Sequence, residues 1–218
     1  SYLAGNPELV LGLNDDLIVG EHMPGRVCID DCNFHECVNV DQFEQYKILT
    51  LKPREGEFTV MNYRMSSEFK SPFRIFPFFE VSSPHRAELV LKIRCDIPTN
   101  SHANGVSVTI PVPQSVTSVS CESSSHSVVE QSCEFDSQEK LIKWKITKFT
   151  GGTECTVRCR IALSNASDAS IRKQFGPVSM SFEIPMYSAS NLQVKYLRLT
   201  DARSTPPTRW VRYITRSA

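Results

Sequence analysis

Residues 88–95, ELVLKIRC, decide the fold class, because apolar side chains occupy every second position. The apolar set is Leu89, Leu91 and Ile93, and the alternate positions are Val90, Lys92 and Arg94. The run KWKIT at residues 143–147 repeats the pattern. A period of two, with one solvent-exposed face and one buried face, is typical of an antiparallel sheet packed on one side. The pattern predicts an all-β protein.

Similar short runs, rich in Val, Ile, Thr and aromatic residues, follow one another along the chain. We predict strands at RVCIDDCNF (26–34), QYKILTL (45–51), EFTVMNYRM (57–65), FRIFPFFEV (73–81), AELVLKIRC (87–95), VSVTIPV (106–112), SVTSVSC (115–121), LIKWKIT (141–147), CTVRCRIAL (155–163), VSMSFEIP (178–185), LQVKYLRLT (192–200) and RWVRYIT (209–215). The turn residues at 53–56 and 151–152 each predict a hairpin.

Helical and repetitive patterns are weak. Residues 41–46 and 167–175 allow a helical turn or two, and the serine-rich stretch 118–132 is expected to be a loop and hairpin region. No internal repeat is visible, which argues against a propeller or solenoid. About a dozen strands therefore predict one elongated antiparallel β-sandwich, or two joined ones.

The composition is that of a soluble globular protein, with 40% apolar and 22% charged residues among 218. Lys plus Arg balance Asp plus Glu at 24 each, so we expect no nucleic-acid partner. Basic residues nevertheless gather from Lys195 onwards, either as a solvated face or as a binding patch. No run of eighteen apolar residues is present, so we expect no membrane-spanning segment. Because the chain opens on Ser1 without an initiator Met, we expect it to be part of a longer protein.

Eight cysteines leave three interpretations open: reduced thiols, disulfides or a metal site. No Cys-x2-Cys step is present, and Cys155 and Cys159 on one strand would stand about 13 Å apart. We therefore expect reduced thiols and no metal. A secreted domain held by disulfides is the alternative.

Signatures of catalysis are missing from the sequence. It contains no Gly-x-Ser-x-Gly elbow, no phosphate-binding glycine loop and no His-Glu-x-x-His pair. His35 lies between Cys32 and Cys37, where a packed histidine is the simpler interpretation than a nucleophile pair. We predict a protein that is not an enzyme and needs no cofactor.

The end of the chain, Arg209-Trp210-Val211-Arg212, has too many cations for a core strand. Arginine stacks on aromatic rings while its fork binds a hydroxyl or carboxylate, which suits a peptide ligand. A Trp that caps the sandwich between solvated arginines is the alternative.

The runs DDCNFHECVNVDQFE, GEFTVMNYRM, PFRIFPFFE, GPVSMSFEIPMYSASNLQVKYLRL and RWVRYIT resemble the mu homology domain, the C-terminal domain of adaptor-complex medium chains. The match runs in order through essentially the whole chain. VMNYRM and PFRIFP are most similar to the mu chain of the fourth adaptor complex. The resemblance implies an elongated β-sandwich of two subdomains, the outer one about 1–72 plus 174–218 and the inserted one about 73–173.

The resemblance also implies a peptide site for Tyr-x-x-Φ signals, where Φ is a bulky apolar residue, in the cytosolic tails of membrane cargo. Trp210 would line the groove, with its strand pairing to the peptide, and Arg212 would stack on the signal tyrosine. Val194, Leu197, Val211 and the stem of Arg209 would form the Φ pocket. The family's first strand supplies a Phe, an Asp and a neighbouring Lys that precede the position matching Ser1.

A second peptide site is implied on the opposite face, for tyrosine signals with a downstream acidic residue. Its key Phe corresponds to Phe34 and a nearby Glu to Glu44. A key Arg of that site corresponds to Asn62, and Arg64 is a candidate substitute on the same strand face.

Partners implied by the resemblance are the other adaptor-complex subunits, with anionic lipid headgroups as a further candidate. The expected location is the cytosolic face of trans-Golgi or endosomal membranes and coated vesicles. A coat or endocytic scaffold that grips partner proteins is the alternative function, followed by a secreted adhesion domain.

Overall fold

The computed structural model describes residues 7–66, 70–125, 130–166, 170–200 and 210–217. Within these ranges the chain forms seventeen strands: β1 Leu9–Leu13, β2 Leu17–Val19, β3 Val27–Ile29, β4 Asp31–Phe34, β5 Val38–Asn39, β6 Ile48–Leu51, β7 Met61–Arg64, β8 Phe73–Ser83, β9 Arg86–Cys95, β10 His102–Pro111, β11 Val116–Ser125, β12 Gln131–Asp136, β13 Leu141–Thr150, β14 Glu154–Leu163, β15 Ser179–Pro185, β16 Val194–Leu199 and β17 Ile214–Ser217. The helices are short: α1 at Phe43–Tyr46 and a 3₁₀ turn at Ile171–Gln174. The predicted all-β class is confirmed. In the described ranges no helix has the length and apolarity that a membrane crossing needs.

The residues group into two compact units. The first comprises Ser1–Lys70 with Ser188–Arg212, and the second comprises Ser71–Tyr187 with Tyr213–Ala218. The sequence-based division placed residues 174–187 and 213–218 in the outer subdomain instead. Strand pairing explains the difference, because β15 pairs with β10 and β17 pairs with β15.

The second unit is an antiparallel sandwich. One sheet has the order β12-β13-β10-β15-β17 and the other has the order β11-β14-β9-β8. Inward residues of both sheets form one core that includes Leu91, Ile93, Trp144 and Ile146, all with no exposed area. The alternation of ELVLKIRC and KWKIT therefore marks the inner faces of the two sheets, as predicted.

The turn at Gly151-Gly152 does not form the predicted hairpin. It joins β13 and β14, which belong to different sheets, so the chain crosses from one layer of the sandwich to the other. A Cβ atom at Gly151 would lie 2.1 Å from the carbonyl oxygen of Pro98, and Gly152 has a φ of +75°. Both positions need glycine because the crossing is tight.

The serine-rich stretch also differs from the prediction. β11 continues through it to Ser125, and β12 begins at Gln131. Beyond the predicted end at Cys121 the strand is continued by pairing with β14, from Glu122 opposite Arg158 to Ser125 opposite Cys155. Apolar content, the signal used for strands, underestimates such an edge strand.

The first unit contains a four-stranded sheet of order β16-β1-β6-β5 and two small sheets, β2-β3 and β4-β7. Its core consists of Leu13, Leu17, Val27, Ile29, Phe43 and Leu49. The predicted hairpin at residues 53–56 is absent, because β6 pairs with β1 and β5 while β7 pairs with β4. The single predicted strand 26–34 is divided into β3 and β4 at Asp30.

The last strand begins later than predicted. Among the described residues, pairing with β15 covers only Ile214–Ser217. β15 ends at Pro185, and Met186 turns away with a φ of +56°. The β15 pairing therefore ends at Ile214, and next to it the Met186 amide donates to the Tyr213 carbonyl at 2.6 Å.

Candidate functional site

Strand β16 carries two of the predicted pocket residues. Leu197 lies opposite Leu11 of β1, and Val194 lies opposite Leu13 after an irregularity in the register. Val194 packs against the core of the first unit, and both side chains are half-buried. Val194 and Leu197 therefore present apolar side chains while their backbones stay paired in the sheet.

The opposite face of β16 is held by specific contacts. The Arg198 guanidinium lies over the Tyr196 ring, 4.5 Å from its centroid, and Lys195 forms an ion pair with Asp15. The predicted basic patch is therefore partly engaged within the first unit. Exposed ion pairs of this kind add little stability, but they orient the side chains.

Residues 210–212 were predicted to form part of the tyrosine pocket. Trp210 is 76% exposed and Val211 is 44% exposed, and Arg212 is also exposed. Arg209 lies outside the described residues. The segment is not a strand here, so the prediction that its strand pairs with a peptide is not supported in this form.

Trp210, Val211 and Arg212 belong to the same compact unit as β16. An indole that is three-quarters exposed is unusual, since Trp is among the most buried residues on average. Exposed Trp and Arg side chains are enriched where proteins bind partners. The first unit thus contains an exposed aromatic ring, an exposed guanidinium and the half-buried apolar groups of β16.

The residues predicted for a second peptide site are divided between two faces of the β4-β7 sheet. Phe34 packs on the core side, with its ring 4.8 Å from that of Phe43. Asn62 and Arg64 alternate with the core-facing Met61 and therefore point to the other side. The structure does not bring the set together.

The arginine proposed for this second site already pairs with acidic residues. Arg64 forms an ion pair with Asp31 at 2.9 Å and approaches Asp30 at 3.7 Å. Glu44 is exposed on α1. Since Arg64 already has acidic partners, it is a poor substitute for a cation that receives an acidic ligand residue.

A polar cleft of about 390 Å³ lies beside the start of β16. Asn14, Arg26 and Ser190 line it. The Asn14 side chain accepts from the Gln193 amide at 2.6 Å and donates to the Asn191 carbonyl at 3.3 Å. Its polar groups come from loops, which carry no periodic signal, so the sequence did not indicate it.

Sequence reasoning also missed a cluster of three cysteines in the second unit. The sulfur atoms of Cys121, Cys133 and Cys159 all lie within 4.8 Å of one another. All eight cysteines are free thiols. Spacing along one strand could not indicate it, because Cys121 and Cys159 meet through the register of β11 and β14, and Cys133 approaches them from β12 of the other sheet.

Known proteins resemble this chain in both sequence and fold. A model of the adaptor complexes medium subunit family matches residues 1–218. The AP-4 complex subunit mu of Arabidopsis thaliana is 41% identical over 230 residues, which cover all of this chain and 50% of that protein. The AP-4 complex subunit mu-1 of Bos taurus is 34% identical over 234 residues, with the same coverage. The chain thus spans about half the length of these relatives.

Among solved structures, the yeast delta-COP-I mu-homology domain complexed with a Dsl1 WxWxV peptide matches with a TM-score of 0.63. It is 14% identical, and the match covers 97% of this chain and 80% of that one. At this identity the likeness concerns the fold alone.

Proposed function

Because the chain belongs to the adaptor complexes medium subunit family, we propose that it is a cargo-recognition domain that binds tyrosine-based sorting signals during vesicle transport. The proposed ligand is a Tyr-x-x-Φ segment in the cytosolic tail of a membrane protein. The observation that carries the proposal is the exposure of Trp210, at 76%, in the unit that also contains β16. Medium subunits serve as trafficking adaptors rather than enzymes, so the role is binding.

In the proposed complex the peptide lies extended along residues 210–212. The planar Arg212 guanidinium stacks on the signal tyrosine and donates to its hydroxyl, which neither Lys nor an apolar residue can do equally well. The Φ side chain lies against Val211, Val194 and Leu197, and the stem of Arg209 extends that pocket. Exposed Val211 and half-buried β16 side chains support this assignment.

The expected affinity is modest. Burial of one Tyr and one Leu-sized group contributes about 7 kcal/mol at about 25 cal/mol/Å². Association opposes this by at least about 4 kcal/mol. The difference, with a few hydrogen bonds, corresponds to a dissociation constant of order micromolar or weaker. Recruitment to a membrane then requires a second attachment, which we assign to the other adaptor-complex subunits.

Binding of anionic lipid headgroups by the basic residues near the end of the chain stays a prediction. Of the basic residues near the end of the chain, Lys195 pairs with Asp15 and Arg216 pairs with Glu183. The proposed location is the cytosolic face of trans-Golgi or endosomal membranes and coated vesicles.

Calorimetric titration of the 218-residue chain with a Tyr-x-x-Leu peptide and its Ala-x-x-Leu counterpart tests the proposal. We expect binding of the first and at least a tenfold weaker response to the second. Equal binding, or none to either, contradicts tyrosine recognition. A scaffold that grips partner proteins would leave the chain indifferent to the tyrosine.

A further inference from the structure

The three-cysteine cluster lies where the two sheets of the second unit meet at their edges. Cys121 is on β11 and Cys133 is on β12, which are the terminal strands of the two sheets among the described residues. Cys159 lies directly opposite Cys121 on β14 and has no exposed area. The three side chains point into the space between the sheets, since all belong to the core or pack against it.

The sulfur positions approach those of a thiolate-bound cation. The Cys121 and Cys159 Sγ atoms are 3.7 Å apart. A tetrahedral zinc site with Zn–S bonds of about 2.3 Å has sulfurs about 3.8 Å apart. The largest separation in the cluster is within 4.8 Å, so a contraction of about 1 Å is enough to bring all three into contact with one ion.

Thiolates rather than thiols bind metal, so an ion at this position would replace the protons of the three cysteines.

We propose that Cys121, Cys133 and Cys159 form a three-thiolate site for one Zn²⁺ ion. Thiolates select soft cations such as zinc over magnesium and calcium. Cys121 and Cys133 are half-buried, so the fourth coordination position is open to water. The ion would join the edge strands β11 and β12 and thereby connect the two sheets, which share no strand pairing within the described ranges.

Cobalt substitution of the reduced, metal-free 218-residue chain tests the site. We expect one Co²⁺ per chain, a thiolate-to-cobalt charge-transfer band and displacement of cobalt by one equivalent of Zn²⁺. X-ray absorption at the zinc edge should report about three sulfur neighbours at about 2.3 Å. A Zn²⁺-dependent rise in the unfolding temperature should accompany binding.

Cys133→Ser removes one ligand from an edge strand and should weaken Zn²⁺ binding more than about 100-fold, because even a lost outer-shell partner costs about 10–100-fold. The matched control is Cys32→Ala with Cys37→Ala, which removes two half-buried cysteines of the first unit and should leave binding unchanged. Circular dichroism establishes that each variant folds.

If Cys133→Ser does not fold, alkylation of the wild-type chain provides a second test of the site. Equimolar Zn²⁺ should protect Cys121 and Cys133 from iodoacetamide, read by mass spectrometry, and leave Cys32 and Cys37 reactive. A missing charge-transfer band, unchanged affinity in Cys133→Ser, or protection that falls on Cys32 and Cys37 instead overturns the site.

Discussion

The ring of Tyr196 lies directly over Gly12, so closely that a Cβ atom at Gly12 would be 2.3 Å from Tyr196 Cε1. The two residues are register partners on β16 and β1. Glycine at position 12 therefore allows an aromatic side chain to lie flat across the sheet, with Arg198 stacked over it. The strand that carries Val194 and Leu197 depends on this close approach.

Substitution of Gly12 by Ala should destabilise the first unit. The new methyl group displaces the Tyr196 ring, and overpacking of this kind costs about 1–3 kcal/mol. Thermal and urea unfolding measure the change. Adding Tyr196→Ala to Gly12→Ala should return part of the lost stability, because the collision is removed. A double variant less stable than the sum of the two single changes contradicts the explanation.

Arg212→Ala should weaken binding of a Tyr-x-x-Leu peptide at least about tenfold, since a hydrogen bond from a charged group is worth about 1.5–3 kcal/mol. Calorimetry with the same peptide measures the loss. Arg216→Ala is the matched control, because Arg216 is an exposed arginine that already pairs with Glu183. The assignment is wrong if both variants bind alike.

Val211→Ser should reduce the preference for a bulky residue at Φ. The wild-type chain is expected to favour Leu over Ala at that position by about tenfold, in line with about 1.5 kcal/mol for part of a buried Leu. Val211→Ser should narrow the ratio and leave the preference for tyrosine intact. A narrowed tyrosine preference instead would mean that the two pockets are not distinct.

Acid should destabilise the second unit through Asp96. A hydrogen bond from Arg74 lowers the pKa of Asp96 below its usual value. The positive charge of Arg74 and the contacts of Arg94 lower it further. A carboxyl whose pKa is lower in the folded state stabilises the fold above its unfolded pKa of about 3.9. That contribution is lost as the pH falls through the folded pKa.

The unfolding temperature measured between neutral pH and about pH 2 checks this. Asp96→Asn should be less stable than wild type at neutral pH and should lose stability less steeply in acid. Parallel curves for the two proteins would show that Asp96 is not the responsible group.

The sequence predicted the long strands of the sandwich well, because β9 and β14 keep a period of two over ten residues and β13 keeps it from Leu141 to Ile146. It missed the short strands β1, β2 and β5, which have two to five residues, too few to show a clear period. The family resemblance was also readable, since it depended on matching runs in order, and the family model confirms it.

The site was predictable only in part. Trp210 is exposed, but the strand expected at that point begins only at Ile214, opposite Pro185 where β15 ends. The cysteine cluster was not predictable, since Cys121 and Cys159 meet through β11-β14 register rather than through spacing. Register of distant strands is a tertiary property that one sequence does not display.

The central claim is that a tyrosine signal docks at Trp210, and the two tryptophans of the chain allow a direct test. Trp144 has no exposed area and Trp210 is 76% exposed, so acrylamide quenches mainly Trp210. A saturating Tyr-x-x-Leu peptide should protect this emission and shift it to the blue, and Trp210→Phe should abolish the response. Calorimetric binding of the peptide without any protection of Trp210 would contradict the account.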